Sequence, residues 1–131
     1  MSEIKWILEE TVYAIHSRQI AEHGGIDGIR DKNLLSSALA RPQNLFAYGE
    51  NVEISQLAAA YAFGIAKNHP FLDGNKRTAY VVMRTFLLIN GFDIEATQEE
   101  KYIIFLKLAE GSLSEEALVQ WIKDKIKTTG A

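Results

Sequence analysis

Cysteine is absent from this sequence of 131 residues, and proline occurs only twice, at Pro42 and Pro70. Without cysteine the chain has no disulfide framework, which removes one common sign of a secreted protein. No apolar run approaches the ~18 residues that a membrane-spanning helix needs. A basic segment followed by an apolar stretch and a small-residue cleavage site is also lacking. From these absences we expect a cytoplasmic protein that does not insert into membranes.

The sequence also lacks an excess of basic residues. It has 14 lysines and arginines against 17 acidic residues, which gives a formal net charge of −3. A general nucleic-acid-binding protein needs a basic face, so direct binding to nucleic acid is not expected. Hydrophobic residues make up 47% of the chain, enough for one hydrophobic core but not for a second domain. We therefore predict a single domain over residues 1–131.

Apolar residues recur at helical spacing through most of the chain, and glycines and capping residues separate the segments. Asp31, Thr97 and Ser114 are suitable N-caps, because their side-chain oxygens can accept hydrogen bonds from a first helical turn. The patterns predict a mainly α fold of about six helices, over Glu9 to His23, Lys32 to Arg41, Ile54 to Asn68, Lys76 to Asn90, Gln98 to Glu110 and Glu115 to Lys127. We expect the fourth of these to be the central helix.

Three stretches are predicted not to be helical. Residues 43–53 place four apolar residues around Gly49-Glu50-Asn51, a pattern typical of a β-hairpin. Such a hairpin would form a small flap, and an ordinary loop with its aromatic residues in the core is the alternative. Phe92-Asp93-Ile94 is predicted to be a short extended link, and residues 128–131 a fraying tail.

The stretch over residues 68–79 lies between the third and fourth predicted helices and reads Asn-His-Pro-Phe-Leu-Asp-Gly-Asn-Lys-Arg-Thr-Ala. Pro70 moves His69 out of the α region and ends the preceding helix just before it. Lys76 and Arg77 lie in the first turn of the next helix, where basic residues oppose the helix dipole. The free N–H groups of that turn and the two cations predict a binding site for an anion such as phosphate.

The nine residues from His69 to Arg77 resemble the signature of the Fic/Doc (Fido) superfamily, whose members transfer phosphate-containing groups from nucleotides to protein hydroxyls. They are most similar to its death-on-curing (Doc) branch. Fic-type adenylyltransferases have a Gly after the Asn and a second Arg three residues after the first, and Lys76 and Tyr80 occupy those positions here. Further Doc-like patterns extend the resemblance over roughly residues 9–125, at Gly24-Gly25-Ile26, Gly28-Ile29-Arg30-Asp31, Ala40-Arg41-Pro42 and Leu88-Ile89-Asn90-Gly91. The resemblance implies a Fido-type helical bundle around a central helix, with a flap over the active site.

The chemistry of such a transfer suggests a role for each residue of the signature. His69 is the candidate general base, because a neutral imidazole can accept the proton of a Ser or Thr hydroxyl. Asp73 is the candidate ligand of Mg²⁺, which needs only one or two protein carboxylates when phosphate oxygens and water complete its shell. Pro70 shapes the backbone, and Phe71 anchors the loop to the core. Binding of the nucleotide phosphates is assigned to Gly74, Asn75, Lys76 and Arg77.

The sequence leaves three functions open. The first is a Doc-like toxin that transfers a phosphoryl group from ATP to a Ser or Thr hydroxyl of a target protein, and the resemblance makes elongation factor Tu the first target to test. The second is a Fic-type adenylyltransferase. It is disfavoured because Lys76 would crowd the pocket that AMP transfer requires and Tyr80 supplies no guanidinium. The third is a catalytically silent interaction module of the same fold, against which the intact signature counts.

A partner that restrains the protein in trans is also expected. Fic proteins that regulate themselves carry a Ser/Thr-x-x-x-Glu-Gly/Asn segment. The two Glu-Gly/Asn pairs of this sequence begin at Glu50 and Glu110, and Phe46 and Leu106 stand where the Ser or Thr would be. Resemblance to Doc therefore implies a separate antitoxin, in such systems a disordered segment that folds on binding.

Several residues outside the signature are given a structural interpretation. His16 lies inside the first predicted helix and is interpreted as a packed or surface residue. Residues 24–29 are predicted to form a structural turn. Arg30 and Asp31 are expected to pair locally. Arg84 lies about 10 Å along the helix from the signature, so we expect it to form a structural ion pair.

Overall fold

The computed structural model describes residues 3–130, which form six α-helices and two short β-strands. The mainly α fold is therefore confirmed. Within residues 3–130 none of the helices combines the length and the apolar character needed to cross a bilayer. In chain order the elements are α1 Glu9–His23, α2 Lys32–Tyr48, α3 Ile54–Asn68, α4 Asn75–Ile89, β1 Phe92–Ile94, α5 Gln98–Glu110, α6 Glu115–Lys125 and β2 Ile126–Thr128.

Helix α3 is the most enclosed element, and it packs against α2, α4 and α6. Ten of its 15 residues are buried, against seven of 15 in α4. Small residues let its neighbours come close: a Cβ atom added at Gly64 would lie only 3.2 Å from Ala38 on α2. The central helix is therefore α3, and the expectation that α4 would be central is wrong.

Helix α2 continues through Pro42 to its end at Tyr48, although the sequence predicted a helix ending just before the proline and a hairpin over residues 43–53. Both predictions are wrong. Phe46 packs edge-on against Trp6, with 5.8 Å between the ring centroids. Such apolar contacts outweigh the helical hydrogen bond that proline cannot donate, so the segment stays helical instead of forming a flap.

The two strands lie elsewhere in the chain. β1 and β2 pair antiparallel, with Phe92 opposite Thr128 and Ile94 opposite Ile126. Ile94 is buried, so the pairing also closes one edge of the core. The predicted link over residues 92–94 and the start of the predicted tail therefore form a two-stranded sheet, and α6 ends before it.

The predicted capping residues are confirmed. The side chains of Asp31, Thr97 and Ser114 each accept a main-chain N–H bond of 3.1 Å in the first turns of α2, α5 and α6. The glycines that follow α1 and α5 have positive φ, as helix-ending glycines commonly do. Helix α4 differs, because its N-cap is Gly74 in the left-handed conformation and no side chain caps it. The main-chain N–H groups at this end of α4 are left for another acceptor.

Candidate active site

The signature residues connect the end of α3 to the start of α4. Helix α3 ends at Asn68, and His69 adopts a left-handed conformation with φ 48° and ψ 56°. The prediction that Pro70 would keep His69 out of the right-handed α region is confirmed. A left-handed backbone costs a residue with a Cβ atom roughly 1–2 kcal/mol, so neighbouring groups must hold His69 in place.

Arg30 holds this end of the loop. Its Nε donates to the carbonyl of His69 at 2.7 Å, and its Nη2 donates to the carbonyl of Asn68 at 2.8 Å. The main-chain N–H groups of Arg30 and Asp31 both donate to the carbonyl of Pro70, at 2.7 and 3.0 Å. The expected local pairing is therefore replaced by two separate roles: Arg30 binds the loop, and Asp31 caps α2. Sequence reasoning missed Arg30 because the contact joins residues 38 and 39 positions apart.

Asn75 and Phe71 fix the middle of the loop. The side-chain oxygen of Asn75 accepts the main-chain N–H of Phe71 at 2.9 Å, and its Nδ2 donates to the carbonyl of Phe71 at 3.0 Å. Both residues are buried, and the ring of Phe71 is only 1% exposed. The side chain of Asn75 therefore works inside the protein, while its main-chain N–H remains at the start of α4.

His16 holds the other end of the loop. It is 2% exposed, and its Nε2 lies 2.7 Å from the carbonyl oxygen of Asp73. Because a carbonyl can only accept, this nitrogen carries a proton. The ring stacks on Phe71 with 3.8 Å between centroids and 7° between planes, and its Nδ1 faces a carboxylate oxygen of Asp27 at 3.6 Å. His16 is thus packed, as one of the two interpretations held, but it also binds the signature, which no local pattern in α1 indicates.

His69 and Lys76 contact each other across the loop. The Nζ of Lys76 lies 3.1 Å from Nε2 of His69. A lysine ammonium can only donate, so this imidazole nitrogen has its lone pair available as an acceptor. Partial burial lowers the pKa of His69 below its ordinary value, and the positive charges of Lys76 and Arg30 lower it further. The imidazole is therefore neutral at neutral pH, the form that a general base requires.

The exposed carboxylate of Asp73 is the acidic group of the loop. One oxygen accepts the main-chain N–H of Gly74 at 2.9 Å, and the other accepts that of Ile26 at 3.3 Å. Each oxygen keeps a lone pair that can bind a cation. Within residues 3–130 no group of three or more His, Asp or Glu side chains could hold a metal ion. A single carboxylate such as Asp73 is enough for Mg²⁺ only where phosphates and water supply the remaining ligands.

The chemistry-bearing side chains meet in one cavity of about 240 Å³. His69, Asp73, Lys76 and Arg77 all line it, with Gly74 and Asn75 between them and Phe105 of α5 opposite. A second cavity of about 510 Å³ adjoins it, because His69 and Lys76 line both. Its other walls are mostly apolar, from α3, the last turn of α5 and the segment joining α5 to α6. The sequence did not predict that α5 borders the site.

Tyr80 and Arg84 lie outside this cavity. The hydroxyl of Tyr80 is buried without a hydrogen-bond partner among the described residues, and burial raises its pKa. Arg84 donates to both carboxylate oxygens of Asp93, at 3.1 and 3.2 Å. The structural ion pair expected of Arg84 is therefore confirmed. By contrast, neither Lys76 nor Arg77 forms an ion pair within residues 3–130.

A helical bundle with this loop between its two innermost helices defines a known class of proteins. The model of the Fic/DOC family matches residues 6–87, and the chain belongs to that family. The resemblance found in the signature is therefore confirmed.

The relatives of the chain extend this result. It is 28% identical over 124 residues to "Protein kinase doc" of Escherichia phage P1, which covers 95% of this chain and 94% of the phage protein. It is 42% identical over 74 residues to "Toxin Doc" of Mycolicibacterium smegmatis, over 56% and 57% of the two chains. A third relative is "Protein adenylyltransferase Fic" of Drosophila persimilis, 41% identical over 54% of this chain but only 15% of the insect protein. The chain is thus homologous to the phage Doc protein along most of its length, and to "Toxin Doc" and to Fic enzymes over about half of it.

Proposed function

We propose that this protein is a Doc-type protein kinase, which transfers the γ-phosphoryl group of ATP to a Ser or Thr hydroxyl of a target protein. The observation that carries the proposal is the convergence of His69, Asp73, Lys76 and Arg77 on one cavity. A base, a carboxylate and two cations are the groups that phosphoryl transfer requires. A catalytically silent module would need none of them in this arrangement.

His69 is the general base of the proposed reaction. The hydroxyl oxygen forms a bond to the γ-phosphorus, the bond from that phosphorus to the bridging oxygen breaks, and ADP leaves. The hydroxyl proton passes to Nε2 of His69, the nitrogen with the available lone pair. Lys76 donates to the same lone pair, so it has to turn toward the phosphates before the hydroxyl can reach Nε2.

Lys76, Arg77 and the main-chain N–H groups at the start of α4 bind the phosphates in this proposal. Arg77 offers paired donors, and Lys76 acts as a point charge. Asn75 contributes its main chain, because its side-chain amide is bonded to Phe71. Asp73 would hold Mg²⁺, which neutralises negative charge on the phosphates.

Lys76 also favours phosphoryl transfer over AMP transfer. Its ammonium group lies beside the base, in the position where Fic-type enzymes have a glycine. Tyr80 points its hydroxyl into a buried position and supplies no charge to the site. The second candidate, AMP transfer, is supported by the similarity to "Protein adenylyltransferase Fic". The similarity to "Protein kinase doc" spans much more of both proteins and supports the kinase.

The wider setting of the proposal follows from the Doc relatives. We propose that residues 1–131 form a single Fic/Doc domain, that the protein acts as a toxin in the cytoplasm, and that a separate antitoxin restrains it. "Toxin Doc" of M. smegmatis supports this assignment. Elongation factor Tu is the first target to test. A protein that modified it without restraint would stop growth.

The transferred group is identified by labelling. The purified protein is incubated with a bacterial lysate and either γ-³²P-ATP or α-³²P-ATP, with and without Mg²⁺. We expect a labelled protein band with the γ label only, and only with Mg²⁺. Label from α-³²P-ATP would instead identify an adenylyltransferase. Purified elongation factor Tu replaces the lysate in a second reaction, and a band there identifies the target.

The toxin assignment is tested by expressing the chain alone in a bacterial host. We expect growth to stop, and we expect the His69→Ala variant at equal abundance to permit growth. Normal growth with detectable, active wild-type protein would contradict the toxin assignment and leave an ordinary modifying enzyme.

A further inference from the structure

Two side chains from the N-terminal part of the chain hold the two ends of the signature loop. His16 of α1 bonds to the carbonyl of Asp73, and Arg30 bonds to the carbonyls of Asn68 and His69. We call this pair of residues, His16 and Arg30, the brace. Neither residue lines the cavity in which the reactive groups meet.

The segment between the two brace residues follows the loop closely. The carbonyl of Gly28 accepts the N–H of Leu72 at 3.1 Å, and the N–H of Ile26 donates to the carboxylate of Asp73. Cβ atoms added at Gly25 and Gly28 would lie 2.8 and 2.9 Å from the side chains of Asp73 and Leu72. The turn thus packs directly against the loop, and its main-chain bonds hold the loop between the two contacts of the brace.

The contact of His16 lies at the end of the loop that carries Asp73. The side chain of Asp73 leaves the same residue whose carbonyl His16 binds, and Gly74, the N-cap of α4, follows directly. If the peptide group between Asp73 and Gly74 rotated, the carboxylate and the first N–H groups of α4 would move together. Groups that orient a metal ligand from behind typically change metal affinity or activity about 10–100-fold when they are removed.

The contact of Arg30 lies at the end of the loop that carries the candidate base, His69. His69 has a left-handed backbone. Arg30 binds the carbonyl of the residue before it, Asn68, and the carbonyl of His69 itself. Two bonds from one planar guanidinium fix both peptide orientations at once. Arg30 is exposed, so its removal leaves the hydrophobic core intact.

We propose that His16 and Arg30 are positioning residues with separable tasks: His16 orients Asp73 and the phosphate-binding start of α4, while Arg30 orients the base His69. The proposal rests on the proposed function for the identity of the reactants. The two tasks are separate because the buried pair of Asn75 and Phe71 lies between the two ends of the loop and fixes its middle independently.

The His16 task is tested with two substitutions. His16→Phe keeps an aromatic ring on Phe71 but removes the donor, and His16→Gln keeps a donor near the position of Nε2. We expect His16→Phe to weaken ATP binding in Mg²⁺ about 10-fold by calorimetry, to weaken binding in EDTA by a smaller factor, and to speed amide exchange at Gly74 and Asn75. His16→Gln should restore most of the ATP affinity and most of the protection from amide exchange. Val12→Ala, a buried change on α1, controls for lost stability.

The Arg30 task is tested with Arg30→Ala and Arg30→Lys. We expect both variants to slow label transfer at saturating ATP about 10-fold or more while ATP affinity in Mg²⁺ stays within about 2-fold, because a misplaced base affects only the chemical step. Lysine keeps the charge but cannot make the two bonds that the guanidinium makes, so Arg30→Lys should not restore the transfer rate. The ring signals of His69 in NMR spectra should move in both variants. Arg18→Ala, which removes an exposed arginine from α1, is the matched control.

Two results would overturn the proposal. One is that His16→Phe and Arg30→Ala change ATP affinity and transfer rate in the same proportion, as general loosening of the fold would. The other is that His16→Phe binds ATP and exchanges amides like the wild type, or that Arg30→Ala leaves the ring signals of His69 in place. Calorimetry, amide exchange and NMR need no group transfer. A wild-type protein that transfers no label would therefore contradict the proposed function while leaving the test of the brace in force.

Discussion

The two ends of helix α4 show opposite treatments of charge. In its C-terminal half Arg84 is paired with Asp93 through two bonds, and at its C-cap the side chain of Asn90 bonds to both the N–H and the carbonyl of Lys5. At its N-terminal end Lys76 and Arg77 have no carboxylate partner within residues 3–130, and no side chain caps the helix. We call the N-terminal end of α4, with its unpaired cations, the open end, and the part with the paired side chains the closed end.

The difference shows which end of α4 is available to bind a ligand. Helices α5 and α6 begin with two acidic residues each and a side-chain cap, as the helix dipole favours. Helix α4 begins with two cations and a glycine, which in isolation would cost helix stability. An anion bound there would remove that cost. The unpaired end is thus the site of chemistry in the proposed function, and the paired end maintains the fold.

The largest effect is expected from His69→Ala, which removes the base at the open end. We expect the transfer rate to fall by about 10²–10⁴-fold, while thermal unfolding shows a fold close to wild type. His23→Ala, at an exposed histidine of α1, is the control and should transfer normally. If His69→Ala kept more than a few per cent of the rate, another base would have to be sought.

Asp73→Ala tests the metal ligand. Loss of the bound cation removes several kcal/mol of charge stabilisation, so we expect a rate loss of about 100-fold or more and no further response to Mg²⁺. Rates are measured across a Mg²⁺ titration, with Asp124→Ala on α6 as the control for a lost surface carboxylate. An unchanged Mg²⁺ response would remove Asp73 from the metal site.

Lys76→Gly tests whether the lysine selects the reaction. Loss of a charged hydrogen bond to phosphate predicts a decrease in phosphoryl transfer of about 10-fold or more, and the smaller residue opens the way to some transfer from α-³²P-ATP. Undiminished kinase activity would show that Lys76 does not select the reaction. Lys107→Gly, on the exposed face of α5, is the control.

The pH profile sharpens the same comparison. Partial burial lowers the pKa of His69, the charge of Lys76 lowers it further, and the base acts only when unprotonated. Wild-type activity should therefore persist to lower pH than an ordinary histidine would allow. In Lys76→Met the pKa of His69 rises and the acidic limb of the profile moves to higher pH. A limb that stays in place would mean that His69 is not the group that titrates.

The smallest effect is expected from Arg84→Met at the closed end. The pair with Asp93 is partly exposed, so its loss should lower the free energy of unfolding by only about 0.5–1 kcal/mol and leave transfer unchanged. Arg84 lowers the pKa of Asp93, so the pair stabilises the fold above the unfolded pKa of Asp93 and this contribution disappears as pH falls through the folded pKa. Denaturant unfolding at neutral and acidic pH measures both. A loss of transfer in Arg84→Met would break the division between the two ends.

Local signals predicted most of this molecule. The caps at Asp31, Thr97 and Ser114 placed three helix starts, because capping depends on residues three positions apart. The residues that meet in the cavity were recognised because they are close together in sequence. Predictions failed where distant contacts decide: apolar packing of Phe46 carries α2 past Pro42, and β2 pairs with a strand more than 30 residues earlier.

The brace escaped prediction for the same reason. His16 and Asp73 are 57 positions apart, and Arg30 and His69 are 39 apart. Nothing in the sequence around His16 distinguishes a buried ring with a carbonyl partner from a ring that is only packed. Such contacts follow from how α1 and the turn after it lie against the loop, which only the folded chain reveals.

The close crossing of α2 and α3 at Gly64 makes the signature difficult to transplant. Gly64 lies five residues before His69, on the helix that ends at the base, and α2 begins two residues after Arg30. A single methyl group at Gly64 would have to push α2 away at Ala38, by a few tenths of an ångström. The base and the arginine that orients it would then separate. Grafting residues 69–77 between two other helices would copy the signature without the spacing that makes it a site.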